Sequence, residues 1–216
     1  MTIATCADLK AAAATYMARS DLTSRIPEWI ANTETRIAYG SREPNFICEP
    51  LRVRAMETSA DVTINAQTAA LPTRYLQSRR FYLNSSPIQE LGYVVPDVFW
   101  RTYISSDTAR PTRFTVEGEN FVFGPIPDAT YTGKILYYQK FAGLSADGDT
   151  NWLLTNAPGV YLSGVLAEGF AYARKFDLAA ARQTAFVGGI NALNLADKAD
   201  RYSGSPWQAF TDSGNP

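Results

Sequence analysis

Residues 110–141, RPTRFTVEGENFVFGPIPDATYTGKILYYQKF, run through AGLSADGDTNWLLTNAPGV (142–160) into YLSGVLAEGFAYARKF (161–176). The first of these segments alternates. Phe114 and Val116 share one face, Glu117-Gly118 makes a turn, and Phe121 and Phe123 answer on a second strand. Ile135, Tyr137, Gln139 and Phe141 then interleave with Leu136, Tyr138 and Lys140, a period of two that gives each strand two distinct faces. The last segment is apolar nearly all round from Val160 to Phe176, the pattern of a helix enclosed by others. Nothing in the stretch groups residues as a catalytic site would. It reads as a strand-rich region feeding a central helix.

Outward from this stretch the chain is helical at both ends. Leu9, Ala12, Ala13, Tyr16 and Met17 make one apolar stripe, and Thr5 with Asp8 has the spacing of a capping box. Pro27 opens a second helix whose face is Ile26, Trp29, Ile30, Thr33 and Ile37, with Gly40 as its stop and Glu28, Glu34 and Arg36 on the other side. Residues 51–56, 62–64 and 75–83 read as strands, and Pro96 favours a short helix within 95–103. Gly124-Pro125-Ile126-Pro127-Asp128 is a stiff turn. Asn156 is placed to cap the apolar helix, with Pro158 in its first turn. Asp177 is placed to cap a final helix, with Leu178, Ala181, Ala185, Ile190 and Leu193 inward. Gly188-Gly189 inside it marks a close contact, a bend or a break between two shorter helices.

These elements predict an α+β chain. Its N- and C-terminal helices (1–41 and 151–201) form a helical bundle, with an inserted antiparallel β domain at 42–150 and an extended C-terminal tail at 202–216. The tail, SGSPWQAFTDSGNP after Tyr202, carries Trp207 and Phe210, large aromatics that are costly to leave uncovered.

Composition narrows the chemistry. A chain of 216 residues with 46% hydrophobic and 19% charged residues can bury a core. A net charge of −1 gives no general attraction to DNA or to an anionic membrane. The N-terminus lacks the basic region of a secretory signal, and no apolar window reaches membrane-spanning length. There is no histidine, which removes Ser-His-Asp, Cys-His and His-zinc chemistry. Cys6 and Cys48 are widely separated and read as free thiols. Asp147-Gly148-Asp149 lacks the other ligands of a calcium loop and reads as a turn. No cofactor is expected. Fifteen of the 20 basic residues are arginine, which fits either an interface-rich protein or a GC-rich genome.

RIPEWIANTETRIAYGSRE (25–43) resembles the second helix of phage head-to-tail adaptor proteins. LPTRYLQSRRFYL (71–83), FTVEGENFVFGPIPD (114–128) and residues 133–174 are similar to the adaptor type of short-tailed and related phages. The specific pieces are the aromatic strand ending in Lys140-Phe141, the NWLLTNAP segment (151–158) and the Gly/Ala-rich helix after it. With the helices included, the resemblance covers about 22–201. It implies a virion structural protein of the neck, assembled in the host cytoplasm and without catalytic activity. Such a protein forms a ring, expected to be twelve-fold, of neighbouring adaptor subunits beneath the portal protein. The ring is the platform for a tail nozzle, stopper or tail-tube protein. DNA would pass through the lumen without sequence-specific binding, and no membrane is involved. Carried onto this chain, the bundle is the ring body, the β insertion faces the tail side, and Trp207 and Phe210 contact the portal. Self-packing of those two aromatics is the alternative.

Arg79 and Arg80 are candidate channel-lining or inter-subunit charge contacts, against the commoner solvated strand face. Two other classes compete. A tail or baseplate module recognising a host receptor would have no need of the terminal helices. A carboxylate-based polysaccharide hydrolase would use two acids such as Glu117 and Asp128, both in turns and without sugar-stacking aromatics grouped around them.

Overall fold

The computed structural model describes residues 2–43, 46–103 and 107–201; Trp207, Phe210 and the expected tail lie outside the described residues. The fold is α+β and divides into two compact units, one running to Arg54 and resuming at Ala142, the other spanning Ala55–Phe141. The strand-rich unit is thus shorter than the 42–150 insertion read from sequence, because the segments flanking it are bonded to helices.

The helical unit is built around its most apolar element. It contains α1 (Cys6–Met17), α2 (Ile26–Tyr39), a hairpin of β1 (Ser41–Glu43) and β2 (Phe46–Cys48), α4 (Trp152–Asn156), α5 (Pro158–Tyr172) and α6 (Phe176–Arg201). α5 packs against α1, α2, α4 and α6, burying Tyr161, Val165, Leu166 and Phe170. Each such side chain contributes about 1.5–3 kcal/mol relative to exposure. Glycines let the neighbours approach. A β-carbon at Gly169 would stand 2.6 Å from Met17 Sδ and 3.0 Å from Trp29, and one at Gly164 would overlap Thr33 Cγ2.

α1 begins as the sequence predicts, with Thr5 and Asp8 completing a capping box. α2 ends at Gly40, whose φ of 75° is in the region open to glycine. Residues 51–56 are not a strand. Leu51 N–H donates to the Ile37 carbonyl, Arg52 N–H to Asn194 Oδ1 at 2.9 Å and Arg54 N–H to Asp197 Oδ1 at 2.6 Å. Side chains of α6 therefore take the place of a strand partner, and Arg54–Met56 closes in a 3₁₀ turn.

Asn156 does not cap the apolar helix. Asn151 caps α4, accepting from Leu154 N–H at 3.0 Å, and Ala157 separates α4 from α5, with Pro158 in the first turn of α5. α5 stops at Tyr172, where Arg174 adopts a left-handed φ of 58°. α6 starts at Phe176, and its buried residues are Ala179, Gln183, Phe186 and Ile190. Leu178, Ala181 and Ala185 are therefore exposed rather than inward, while Ile190 is buried as expected. The buried face is set by Phe186 seating on Gly164 and not by the leucine spacing.

Gly188-Gly189 leaves α6 unbroken. Gly189 lies against Val160, where a β-carbon would come within 2.6 Å of Cγ2, while nothing lies within 4 Å of the position a β-carbon would take at Gly188. Gly188→Ala is therefore expected to stabilise the protein by about 0.5–1 kcal/mol, the helix-propensity difference without a steric term. Gly189→Ala should lose that gain to the clash. Thermal melts of the two variants check the order.

The strand-rich unit is a pair of four-stranded sheets. Its elements are β3 (Glu57–Ile64), β4 (Thr68–Ala70), β5 (Tyr75–Leu83), β6 (Gln89–Glu90), β7 (Gly92–Tyr93), α3 (Pro96–Thr102), β8 (Arg113–Glu117), β9 (Asn120–Gly124) and β10 (Tyr131–Gln139). The sheet orders are β3-β10-β5-β6 and β4-β9-β8-β7. The hairpin at Gly118, φ 56°, sets Phe114 opposite Phe123 and Val116 opposite Phe121.

One pair departs from the expected antiparallel arrangement: β7 lies parallel to β8. The chain passes from β6 in one sheet through buried Leu91 to β7 in the other, and α3 then supplies the crossover that parallel neighbours need. Between the sheets, the Phe81 centroid lies 5.2 Å from those of Phe114 and Phe121, in edge-on contacts. Gly133 makes room for that ring, since a β-carbon there would stand 2.6 Å from Phe81 Cε2.

Candidate interaction surfaces

The polar residues at 142–151 are used internally. Asp147 and Asp149 carbonyls accept from Ala7 and Cys6 N–H at 3.0 and 2.9 Å, satisfying free donors at the start of α1. Asp149 Oδ2 accepts from Ala146 N–H at 2.7 Å and Ser145 N–H at 2.9 Å, which closes the turn. Glu34 accepts from Leu144 N–H at 2.8 Å and the Tyr161 hydroxyl at 2.9 Å, so it is partly buried and not on the solvated side of α2. Burial, followed by the charge of Glu34, pushes the Tyr161 hydroxyl well above its ordinary value. Among the described residues no group of His, Cys, Asp or Glu is placed to hold a metal ion. Cys6 and Cys48 are buried free thiols, raised above their ordinary values by burial.

Asp8 and Asp149 are among the carboxyls held below their ordinary values, and each closes a turn. Asp8 is lowered first by the Ala4 N–H and then by the Thr5 hydroxyl, and Asp149 by the Ala146 and then the Ser145 N–H groups. The unfolded chain therefore takes up more protons than the folded one on acidification. The stability these turns give is complete above the ordinary Asp value of about 3.9 and is lost as pH falls through the lower folded values. Replacing both residues by asparagine should flatten the decline of melting temperature below about pH 4; an unchanged slope would exclude this source.

The two arginines singled out from sequence occupy β5. Arg79 lies 3.4 Å from Glu57, donates to the Tyr138 hydroxyl at 3.1 Å and stacks on its ring at 5.5 Å. Arg80 is more exposed and meets Glu90 at 3.3 Å. Both border an open cleft of about 530 Å³ walled by Tyr75, Phe81, Phe114 and Val116. The two acids of the hydrolase alternative each engage an aromatic donor: Glu117 accepts from Trp100 Nε1, and Asp128 from the Tyr131 hydroxyl at 2.6 Å.

What these bonds leave unused is surface. On the helical unit Phe176 and Leu195 are about two-thirds exposed (66% and 67%), and Tyr39, Ile47, Tyr172 and Leu178 are also open. Between α2, β2, α5 and α6 runs a groove of about 430 Å³ lined by Arg36, Phe46, Glu168, Phe176, Ala180 and Gln183. Arg36 pairs with Glu168 at 2.9 Å and lies 4.9 Å over the Phe186 ring. The sequence reading put Arg36 on the polar side of α2, and only the packing of α6 beside that helix reveals its burial. No helix among the described residues is long and apolar enough to cross a membrane.

Asp8 and Asp149 close the chain's own turns, and the helical unit keeps exposed apolar side chains beside a groove that carries an ion pair. By comparison with family models, the chain belongs to the SU10 adaptor protein family, whose model matches residues 4–209. It is thus a structural phage adaptor, a component of the virion neck. No match was found among curated proteins.

Proposed function

We propose that this adaptor assembles as a ring, twelve-fold in the complete particle, between the portal and the first tail component, and that its lumen forms part of the DNA exit channel. The observation that carries this reading is the surplus of interaction surface on the helical unit. After α5 is enclosed, that unit still offers exposed aromatics along α5 and α6 and the groove beside Arg36. A subunit in a closed ring needs two different faces, one for each neighbour, and a lone soluble domain has no use for them. The helices make the ring body and the strand-rich unit is offered to the nozzle, stopper or tail-tube protein. The segment 203–216 reaches the portal through Trp207 and Phe210. Arg79 and Arg80 make charge contacts to a neighbouring subunit or line the channel. The protein is not an enzyme in this reading. Electron microscopy of the protein mixed with the portal of the same phage tests it: a ring of added density at the narrow end of the portal is expected, and bare portals at saturating protein would overturn it.

A further inference from the structure

β3 ends its sheet: β10 lies on one side of it, and no strand lies on the other among the described residues. The register shows which backbone groups this leaves over. Asn84 N–H donates to the Thr132 carbonyl at 2.8 Å, so Thr132 faces β5. Backbone groups point alternately to the two sides of a strand, so Gly133 and Ile135 face β3 and bond Val62 and Ala60. Ser59, Asp61 and Thr63 therefore turn their N–H and C=O groups away from the sheet. All three residues are exposed, and none makes another hydrogen bond among the described residues. Edges of this kind are ordinarily blunted by shortness, bulges, proline or lysine. The other sheet ends follow that rule. β4 has three residues, β6 and β7 have two each, and β5 beside β6 has register shifts against β10 at Leu136/Tyr137 and Tyr138/Gln139. β3 has eight residues, an unbroken register and neither proline nor lysine.

We propose that the outer edge of β3 takes up an extended segment of the first tail component, which joins the four-stranded sheet as a further strand. The open N–H and C=O groups call for a strand, since only another extended backbone matches their spacing. β3 also specifies the side chains of its partner. On the inner face they lie beside Ala60 and buried Val62, which suits small or β-branched apolar residues. On the outer face a lysine or arginine meets Asp61, an exposed carboxylate. Lys134 stands across from Asp61 on β10 but beyond ion-pair distance, so the far side of the carboxylate is open. A second β3 is a poor occupant, because it would set Asp61 of both chains on one face. The inference rests on the reading that the strand-rich unit is offered to the tail.

The test is hydrogen exchange, read by mass spectrometry over residues 57–64, in portal-bound adaptor with and without the purified tail component of the same phage. Adding the component should slow exchange at Ser59, Asp61 and Thr63 by about a hundredfold or more. Ala60 and Val62, already bonded to β10, should stay slow throughout and serve as the reference. Ser59→Pro should melt within about 2 °C of the parent and still join the portal, since no bond to β10 uses its N–H. It should nevertheless hold the tail component about tenfold less well or worse, as should Asp61→Lys. Unchanged exchange at the three amides with the tail component bound would overturn the strand addition and leave the tail-facing reading intact. Protection that arises in the free protein together with a dimer would give the edge to a second copy, and so overturn the proposal. If the parent on its portal binds no tail component, the proposal and the reading beneath it both fall.

Discussion

Gly164→Val is expected to destabilise the helical unit by about 3 kcal/mol or more, the upper end of the cost of forcing methyl groups into a packed core. Thr33, whose Cγ2 occupies the space, is fully buried and fixed by a hydrogen bond from its hydroxyl to the Trp29 carbonyl at 2.8 Å. On the other side is the buried Phe186 ring, 3.0 Å from where the new β-carbon would sit and itself under the Arg36 guanidinium. Neither neighbour is the loose end of a flexible chain. Valine has the better helix propensity, but that returns only about 0.5 kcal/mol. For a chain of this length each kcal/mol corresponds to about 2–4 °C, so a fall in melting temperature of roughly 10 °C should be seen by circular dichroism. A variant melting within about 2 °C of the parent would show that α2 and α6 can move apart freely. Because α5 touches every other helix of its unit, the substitution should also abolish portal recruitment.

The same helix shows how far the sequence carries. An apolar run on all sides of 160–176 marked α5 as central, and the period-two pattern of 113–141 gave β8, β9 and β10 together with the pairing of Phe114, Val116, Phe121 and Phe123. Those features are local: each depends on the spacing of residues within one element. What was not legible depended on contacts between elements distant in sequence. The segment 51–56 has strand-forming residues, yet Asn194 and Asp197 from α6 claim its N–H groups. The inward face of α6 could not be read from its leucines, because Phe186 is drawn to a gap that exists only where Gly164 faces Thr33. Arg36 shows the same limit. Arginine two residues from Glu34 on an amphipathic helix reads as solvated, and its burial follows from α6 and β2 closing over it. Interaction surfaces are harder still to read, since an exposed Phe176 and a buried Phe170 look alike in a sequence.

Deletion of residues 203–216 is expected to leave folding untouched and to remove portal binding. The melting temperature of the truncated protein should match the parent, and that comparison separates a loss of binding from a loss of folding. The segment holds Trp207 and Phe210 among glycine, serine and proline. Aromatic anchors of this kind contribute about 2 kcal/mol each when they fill pockets on a partner. Loss of both would therefore weaken each subunit's hold by about 4 kcal/mol, or roughly a thousandfold. In a ring the loss is compounded, because each seated subunit raises the effective concentration of the next, and the cooperative gain disappears with the individual contacts. Co-sedimentation with portal rings is the measurement. Trp207→Ala and Phe210→Ala should each give an intermediate loss, while truncation should leave the portal bare. If the truncated protein still sediments with portals, the anchor lies in the helical unit itself. The exposed Tyr172, Phe176 and Leu178 around the α5–α6 turn are then the residues to replace next.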